Sequence, residues 1–183
     1  MRRLRWMAAG GSVGLAIAVG AGLADAAAKP SAAKKRDAVG LGIGYRTPDF
    51  SATDLQGQPQ SLASYKGSVL VLHFWASWCP YCRGEIPELT QLSQGEWTSK
   101  GVRVLTVSTD QELPTIQQFV AQSRLPYPVI ADIQTDFSAS DQYAISGIPV
   151  TYVIGRNGHI VSRLNGAGDI TAEVRKALAA PAA

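Results

Sequence analysis

The chain has 183 residues, 46% of them apolar and 17% charged, the composition of a globular protein with room for one domain and a proper core. Its formal charge of +3 comes from the N-terminus, because after Ala38 ten basic residues face twelve acidic ones. The basic pI therefore gives no reason to expect nucleic-acid binding, and none is expected.

Met1-Arg2-Arg3-Leu4-Arg5 is a basic head, and Trp6 to Leu23 is an uncharged run of small and apolar residues. Ala24-Asp25-Ala26 follows as an A-x-A-like cleavage site, with Ala26-Ala27-Ala28 as a second choice. Residues 1–26 thus read as a signal peptide, the alternative being an uncleaved membrane anchor. Arg2-Arg3 hints at twin-arginine export, but no Phe-Leu-Lys follows it. The expected address is the periplasm or the outer face of the cytoplasmic membrane. Residues 27–44, rich in alanine and lysine at the start, read as a flexible linker, with the folded domain over 45–183.

Pro48 to Asp54, a turn over Leu55 to Gln58, and Gln60 to Leu62 predict a short β-hairpin. Ser68-Val69-Leu70-Val71-Leu72-His73-Phe74-Trp75 has no polar alternation and predicts a central strand buried on both faces. The only two cysteines, Cys79 and Cys82, follow at i and i+3 where a helical pattern begins. On a helix that spacing places both sulfurs on one face, able to close a small ring. The first would sit among unpaired N–H groups at the positive end of the helix, which favours thiolate over thiol. Pro80 suits a helix start, since it lacks an N–H that the first turn does not need. Cys79 is the expected nucleophile and Cys82 the resolving thiol. A purely structural role is disfavoured, because so short a loop removes little chain entropy.

Beyond Cys82, Ile86, Leu89 and Leu92 predict a helix face, which Pro87 should bend. Val102 to Val107 predicts a buried strand, and Asp110 a cap for a helix with Ile116, Phe119 and Val120 at core spacing. Leu125-Pro126-Tyr127-Pro128 ends that helix, Val129-Ile130 is a short apolar piece, and Phe137, Tyr143 and Ile145 fall in a segment left unassigned. Gly147-Ile148-Pro149-Val150 opens another strand, where proline is by default trans. Asn157-Gly158 predicts a hairpin turn between Val150–Ile154 and His159–Leu164. A last helix carries Ile170, Val174 and Leu178 at i, i+4 and i+8. The elements add up to an α/β fold, a mixed four-stranded sheet with helices on both sides.

Trp75-Ala76-Ser77-Trp78-Cys79-Pro80-Tyr81-Cys82-Arg83-Gly84-Glu85-Ile86-Pro87 resembles the active-site signature of thioredoxin-like proteins, closest to the TlpA/ResA branch of exported thiol-disulfide oxidoreductases. The resemblance runs from about Tyr45 to about Lys176. It implies a thioredoxin fold with an N-terminal β-hairpin extension, and a helical insertion over the unassigned segment. It also implies a cis Ile148-Pro149 bond beside the cysteine pair, turning Ile148 backbone groups toward an extended substrate chain. Ile148 and Pro149, with Trp78, Pro80 and Tyr81, are then the expected substrate-binding residues. Trp75 is expected in the core. Glu85 is either a proton carrier and tuner of the thiols, as implied by the resemblance, or a solvated helix carboxylate. His73 departs from the family, where aspartate or asparagine is usual in that strand. It could accept the Cys82 proton, or be a core histidine satisfied by a hydrogen bond.

The resemblance implies a reductase of protein disulfides, acting on apocytochrome c haem-binding cysteines or copper-site cysteines and reset by a membrane thiol donor. A monomer with no cofactor and no metal is expected. A disulfide-introducing oxidase is the first alternative, disfavoured by the absence of room for a large helical insertion. A peroxiredoxin-like enzyme would need proline at Leu72 and threonine at Ala76. As a copper metallochaperone the chain could ligate copper or zinc through Cys79, Cys82 and His73, but the related copper-chaperone pattern spaces its cysteines further apart, and His159 falls in a separate hairpin.

Overall fold

The computed structural model describes residues 38–134 and 138–180. The expected signal at 1–26, the linker as far as Asp37, and Phe137 lie outside those residues. Residues 38–44, expected in the linker, already hydrogen-bond to the domain. Gly44 N–H donates to the Ile160 carbonyl at 2.8 Å and Gly40 N–H to that of Arg46 at 3.0 Å.

Strand β1 (Ser51–Thr53) pairs antiparallel with β2 (Pro59–Ser61) as the predicted hairpin. Asp54 builds its turn, one carboxylate oxygen accepting from the N–H groups of Gln56 and Gln58 and the other from the Gln60 amide. The following strand, β3 (Val69–Trp75), is buried at all seven positions, as its unbroken apolar run requires. It is the centre of the main sheet. Strand β4 (Val102–Ser108) lies parallel to it on one side, and β6 (Val150–Ile154) antiparallel on the other. Strand β5 (Val129–Ala131) joins β4 in parallel, and β7 (Ile160–Asn165) joins β6 through the Asn157-Gly158 turn, where Gly158 has φ 79°.

The order β5-β4-β3-β6-β7 gives five strands where sequence reading gave four. Three residues are too few for a periodicity, so only pairing with Thr106–Ser108 reveals Val129–Ala131 as a strand. The α/β architecture and the hairpin extension are those expected.

Helix α1 (Pro80–Leu92) runs through Pro87, and α2 (Gly95–Ser99) follows it at once. Helix α3 (Leu113–Ser123) ends at Arg124, in the left-handed region at φ 50°. The unassigned segment holds a short 3-10 turn (Asp132–Gln134) and α4 (Ala139–Gln142), and α5 (Ile170–Ala179) closes the described chain. The longer helices bring Leu89, Ile116 and Val174 to one face of the sheet, in a core that contains both cysteines. Leu70, Phe74, Tyr143 and Tyr152 form the second core, covered by Phe50, Leu62 and Tyr65. The expected helices on both sides are thus unequal. The hairpin, the turn at Leu62–Tyr65 and the short α4 do on one face what α1, α3 and α5 do on the other.

Candidate active site

Parallel β3 and β4 end side by side, with Trp75 opposite Ser108, so the segments leaving both strands meet at one edge. Ligand sites of open α/β sheets form at such carboxyl ends. Here the chain leaving β3 turns sharply, Cys79 N–H donating to the Ala76 carbonyl at 3.1 Å, and enters α1. Cys79 is the N-cap of that helix and Pro80 its first residue. Its sulfur accepts from Cys82 N–H at 3.1 Å, so one orphan donor of the helix start already points at Sγ. The two cysteines are disulfide-linked, their Cα atoms 5.3 Å apart.

The two sulfurs differ in access. Cys82 is wholly buried, whereas Cys79 keeps 4% of its surface and lies between two exposed residues, Trp78 and Pro80. Trp78 and Tyr81 are 69% and 72% exposed, unusual for aromatic side chains with a core at hand. Trp75 is core, as expected, its ring 5.2 Å from that of Phe119. The Ile148-Pro149 bond is cis, the isomer that the family resemblance implied. Gly147 and Ile148 line a cleft of about 430 Å³ together with Trp78, so the cis-proline loop and the cysteine turn share one opening.

His73 is buried at the centre of β3, its Nδ1 2.9 Å from the Thr151 hydroxyl. Its Nε2 has no hydrogen-bond partner among the described residues. His73 and Cys82 both line a narrow void with Trp75, Thr106 and Tyr127 that is too small for a water molecule. Burial lowers the His73 pKa to about 3.

Glu85 is buried, not solvated, because the inward stripe of α1 is Cys82, Glu85, Leu89 and Leu92, rotated from the expected one to include the carboxylate. One oxygen accepts from Gly168 N–H at 3.2 Å and the other has no partner among the described residues. Desolvation raises its pKa to about 7, the Gly168 N–H opposing and the Glu88 charge adding to the rise. The folded state therefore holds this proton more tightly than the unfolded chain does. Its stabilising contribution is complete below the unfolded pKa near 4.5 and is lost as pH rises through about 7. Wild-type protein should melt at lower temperature at pH 8 than at pH 5. In Glu85→Gln that decline should largely disappear, a difference that calorimetry across this range measures.

Asp110 is the residue that sequence reading misplaced. It does not cap α3, whose N-cap is Glu112 with no side-chain bond. Its buried carboxylate turns back to the cysteine loop, accepting from Ser77 N–H at 2.8 Å, from the Ser77 hydroxyl at 2.7 Å and from the Ser108 hydroxyl at 2.7 Å. A signal existed, since Ser108-Thr109-Asp110 ends a strand parallel to the one that delivers the cysteines. Glu88 was also missed; it accepts from Thr171 N–H at 2.7 Å and ties α1 to the start of α5.

The AhpC/TSA family model matches residues 43–163. The thiol-disulfide oxidoreductase ResA of Bacillus cereus is 31% identical over 124 residues, covering 68% of this chain and 70% of its own. The chain belongs to the AhpC/TSA family of thioredoxin-like proteins. Among solved structures, the thioredoxin domain of a thiol-disulfide oxidoreductase from Bacteroides vulgatus superposes with a TM-score of 0.66 at 25% identity, over 75% of this chain and 98% of that one. A secreted disulfide oxidoreductase of Mycobacterium tuberculosis, described as homologous to DsbE, superposes with a TM-score of 0.59 at 26% identity, over 69% and 95%. The protein is a thiol-disulfide oxidoreductase of this family, with Cys79 and Cys82 as its Cys-x-x-Cys pair and disulfide-containing proteins as its substrates. Among the described residues of the oxidoreductase no group of three His, Cys, Asp or Glu side chains could hold a metal ion. His159 lies away from His73, because β6 runs antiparallel to β3, His73 pairs with Thr151, and the turn carrying His159 lies beyond Ile154, past the Leu70 end of β3.

Proposed function

We propose that the oxidoreductase is an exported reductase of protein disulfides in the cell envelope. The observation that carries the direction of attack is the inequality of the two cysteines, Cys79 on a helix N-cap with 4% of its surface exposed and Cys82 with none. In the reduced protein the Cys79 thiolate attacks one sulfur of a client disulfide, forming a mixed disulfide and releasing the other client sulfur as a thiolate. The Cys82 thiolate then attacks Cys79 Sγ, closes the Cys79–Cys82 disulfide and frees the second client thiolate. Two electrons pass to the client, both client sulfurs take up protons, and a membrane thiol donor restores the pair. The similarity to ResA and to a secreted DsbE homologue supports thiol-disulfide exchange, the motif's resemblance to the TlpA/ResA branch supports the reducing direction, and the basic head followed by an apolar run supports export. Apocytochrome c or copper-site cysteines are the proposed clients.

Trp78, Pro80 and Tyr81 would provide the apolar face on which a client rests, and Ile148 with Pro149 the backbone edge along which it extends. Glu85, poised to titrate near neutrality, would carry protons for the pair. His73 would accept the Cys82 S–H as a hydrogen bond through Nε2. A group that charges only near pH 3 shares a proton in transit and does not hold it at neutral pH. In His73→Asn the mixed disulfide should therefore persist longer than in wild type between pH 5.5 and 8. An unchanged lifetime, followed by quenched mass analysis, would remove His73 from the mechanism.

The client class is tested with an oxidised peptide bearing a Cys-x-x-Cys-His disulfide. Mixed with the reduced protein, it should be reduced at least tenfold faster than glutathione disulfide, with stoichiometric oxidation of Cys79–Cys82. Equal rates would refute a protein-disulfide client of that class.

A further inference from the structure

The Asp110 carboxylate stands in the fold with no packing need for a charge. It is 3% exposed and lies on the segment that leaves β4, whereas the cysteines lie on the segment that leaves β3. A buried carboxylate is expensive unless its oxygens are well supplied with donors, and here all three donors are the serines of the two strand ends. Two of those bonds go to one residue, Ser77, which precedes Cys79 by two positions. Next to them Thr109 N–H donates to the Trp75 carbonyl at 2.8 Å and the Thr109 hydroxyl to the same oxygen at 3.2 Å. Thr109-Asp110 therefore grips the chain leaving β3 at Trp75 and again at Ser77. Between the second grip and Cys79, the N-cap of α1, lies only Trp78.

We propose that Asp110, acting through Ser77, is a positioning residue for the redox couple, fixing the turn that holds Cys79 Sγ against Cys82 N–H. The bond from Cys82 N–H, 3.1 Å long in the disulfide, becomes charge-assisted when Cys79 is a thiolate, and such bonds are roughly twice as strong as neutral ones. Slackening the turn therefore penalises the reduced, thiolate form more than the disulfide. Asp110 does not touch the sulfurs, and its effect reaches them through three residues of backbone. The inference rests on the thiol-disulfide chemistry alone and is indifferent to which way electrons flow in the cell.

Three variants separate positioning from fold support. Asp110→Ala removes every acceptor, Ser77→Ala removes the hydroxyl donor alone, and Asp110→Asn keeps the shape. The asparagine carbonyl can accept from Ser77 N–H while its amide donates to the Ser77 hydroxyl oxygen, which can turn to receive it. Two readouts are taken on folded protein below its melting temperature: the rate of Cys79 alkylation in the reduced form, and the equilibrium with a reference dithiol. Asp110→Ala should alkylate about tenfold more slowly and shift the equilibrium about tenfold toward the disulfide, equivalent to about 30 mV more negative. Ser77→Ala should move both in the same direction by about threefold, and Asp110→Asn should stay within about twofold of wild type. Wild-type alkylation and equilibrium in folded Asp110→Ala, whatever its melting temperature, would make Asp110 a structural residue only. If Asp110→Ala does not fold, unchanged values in Ser77→Ala overturn the proposal on their own, as does an Asp110→Asn protein that fails to keep the wild-type values.

Discussion

Cys79→Ser should lose disulfide exchange by more than about 10³-fold, the scale on which removal of a nucleophile acts, while Cys82→Ser should still attack and then fail to let go. The expectation follows from access. Cys79 is the less buried of the two, between exposed Trp78 and Pro80, and the cap of α1, with Cys82 N–H aimed at its sulfur; Cys82 is wholly buried, one turn deeper. A client therefore meets Cys79 first, and only an intramolecular attack can bring Cys82 into play. Removing Cys82 leaves the mixed disulfide with no resolving thiol, so it should accumulate to near stoichiometry with an oxidised peptide and survive at least tenfold longer than in wild type. Intact-mass analysis after acid quenching counts it directly. The reverse pattern, with Cys79→Ser forming the stable adduct, would reassign the nucleophile.

Phe74→Ala should destabilise the protein by about 3–5 kcal/mol, the range for deleting a buried phenylalanine ring. Phe74 is fully buried, and its ring lies 5.4 Å from that of Tyr143 and 6.4 Å from that of Tyr152, which are 5.3 Å from each other. Tyr143 also ties this cluster to the chain before the hairpin, its hydroxyl donating to the Pro48 carbonyl at 2.7 Å. Three interlocked rings cannot collapse into the gap left by one of them, so the cavity persists. A domain of this size should lose roughly 10–15 °C of melting temperature. Phe74 faces the core opposite the one that contains Cys79 and Cys82. At 20 °C the exchange rate of the folded variant should remain within about threefold of wild type. Chemical denaturation and peptide exchange on the same sample check both halves.

Much of this was legible in the sequence because it depends on local pattern. The run Val69 to Trp75 carries its burial in its composition, the Cys79-Pro80 pair carries the helix start, and Asn157-Gly158 carries its turn. The cis Ile148-Pro149 bond was not local. By residue statistics it would be trans, and only the resemblance of the surrounding motif pointed the other way. What could not be read was set by elements distant in sequence. Asp110 has the residue type and place of a helix cap, and only the parallel pairing that sets Trp75 opposite Ser108 offers it Ser77 as a better partner. Glu85 looks like a surface carboxylate until the Gly168 segment before α5 covers it. Val129–Ala131 becomes a strand only because β4 has a free edge there.

Whether the Cys79–Cys82 pair serves as a reductant is decided by its equilibrium reduction potential. The protein is titrated against glutathione or dithiothreitol and the thiol and disulfide forms are separated by mass. For a reductant the value should lie near that of thioredoxin, about −270 mV, or somewhat above it. A value close to that of a strong oxidant, about −120 mV, would contradict that role and make disulfide introduction the activity of this site.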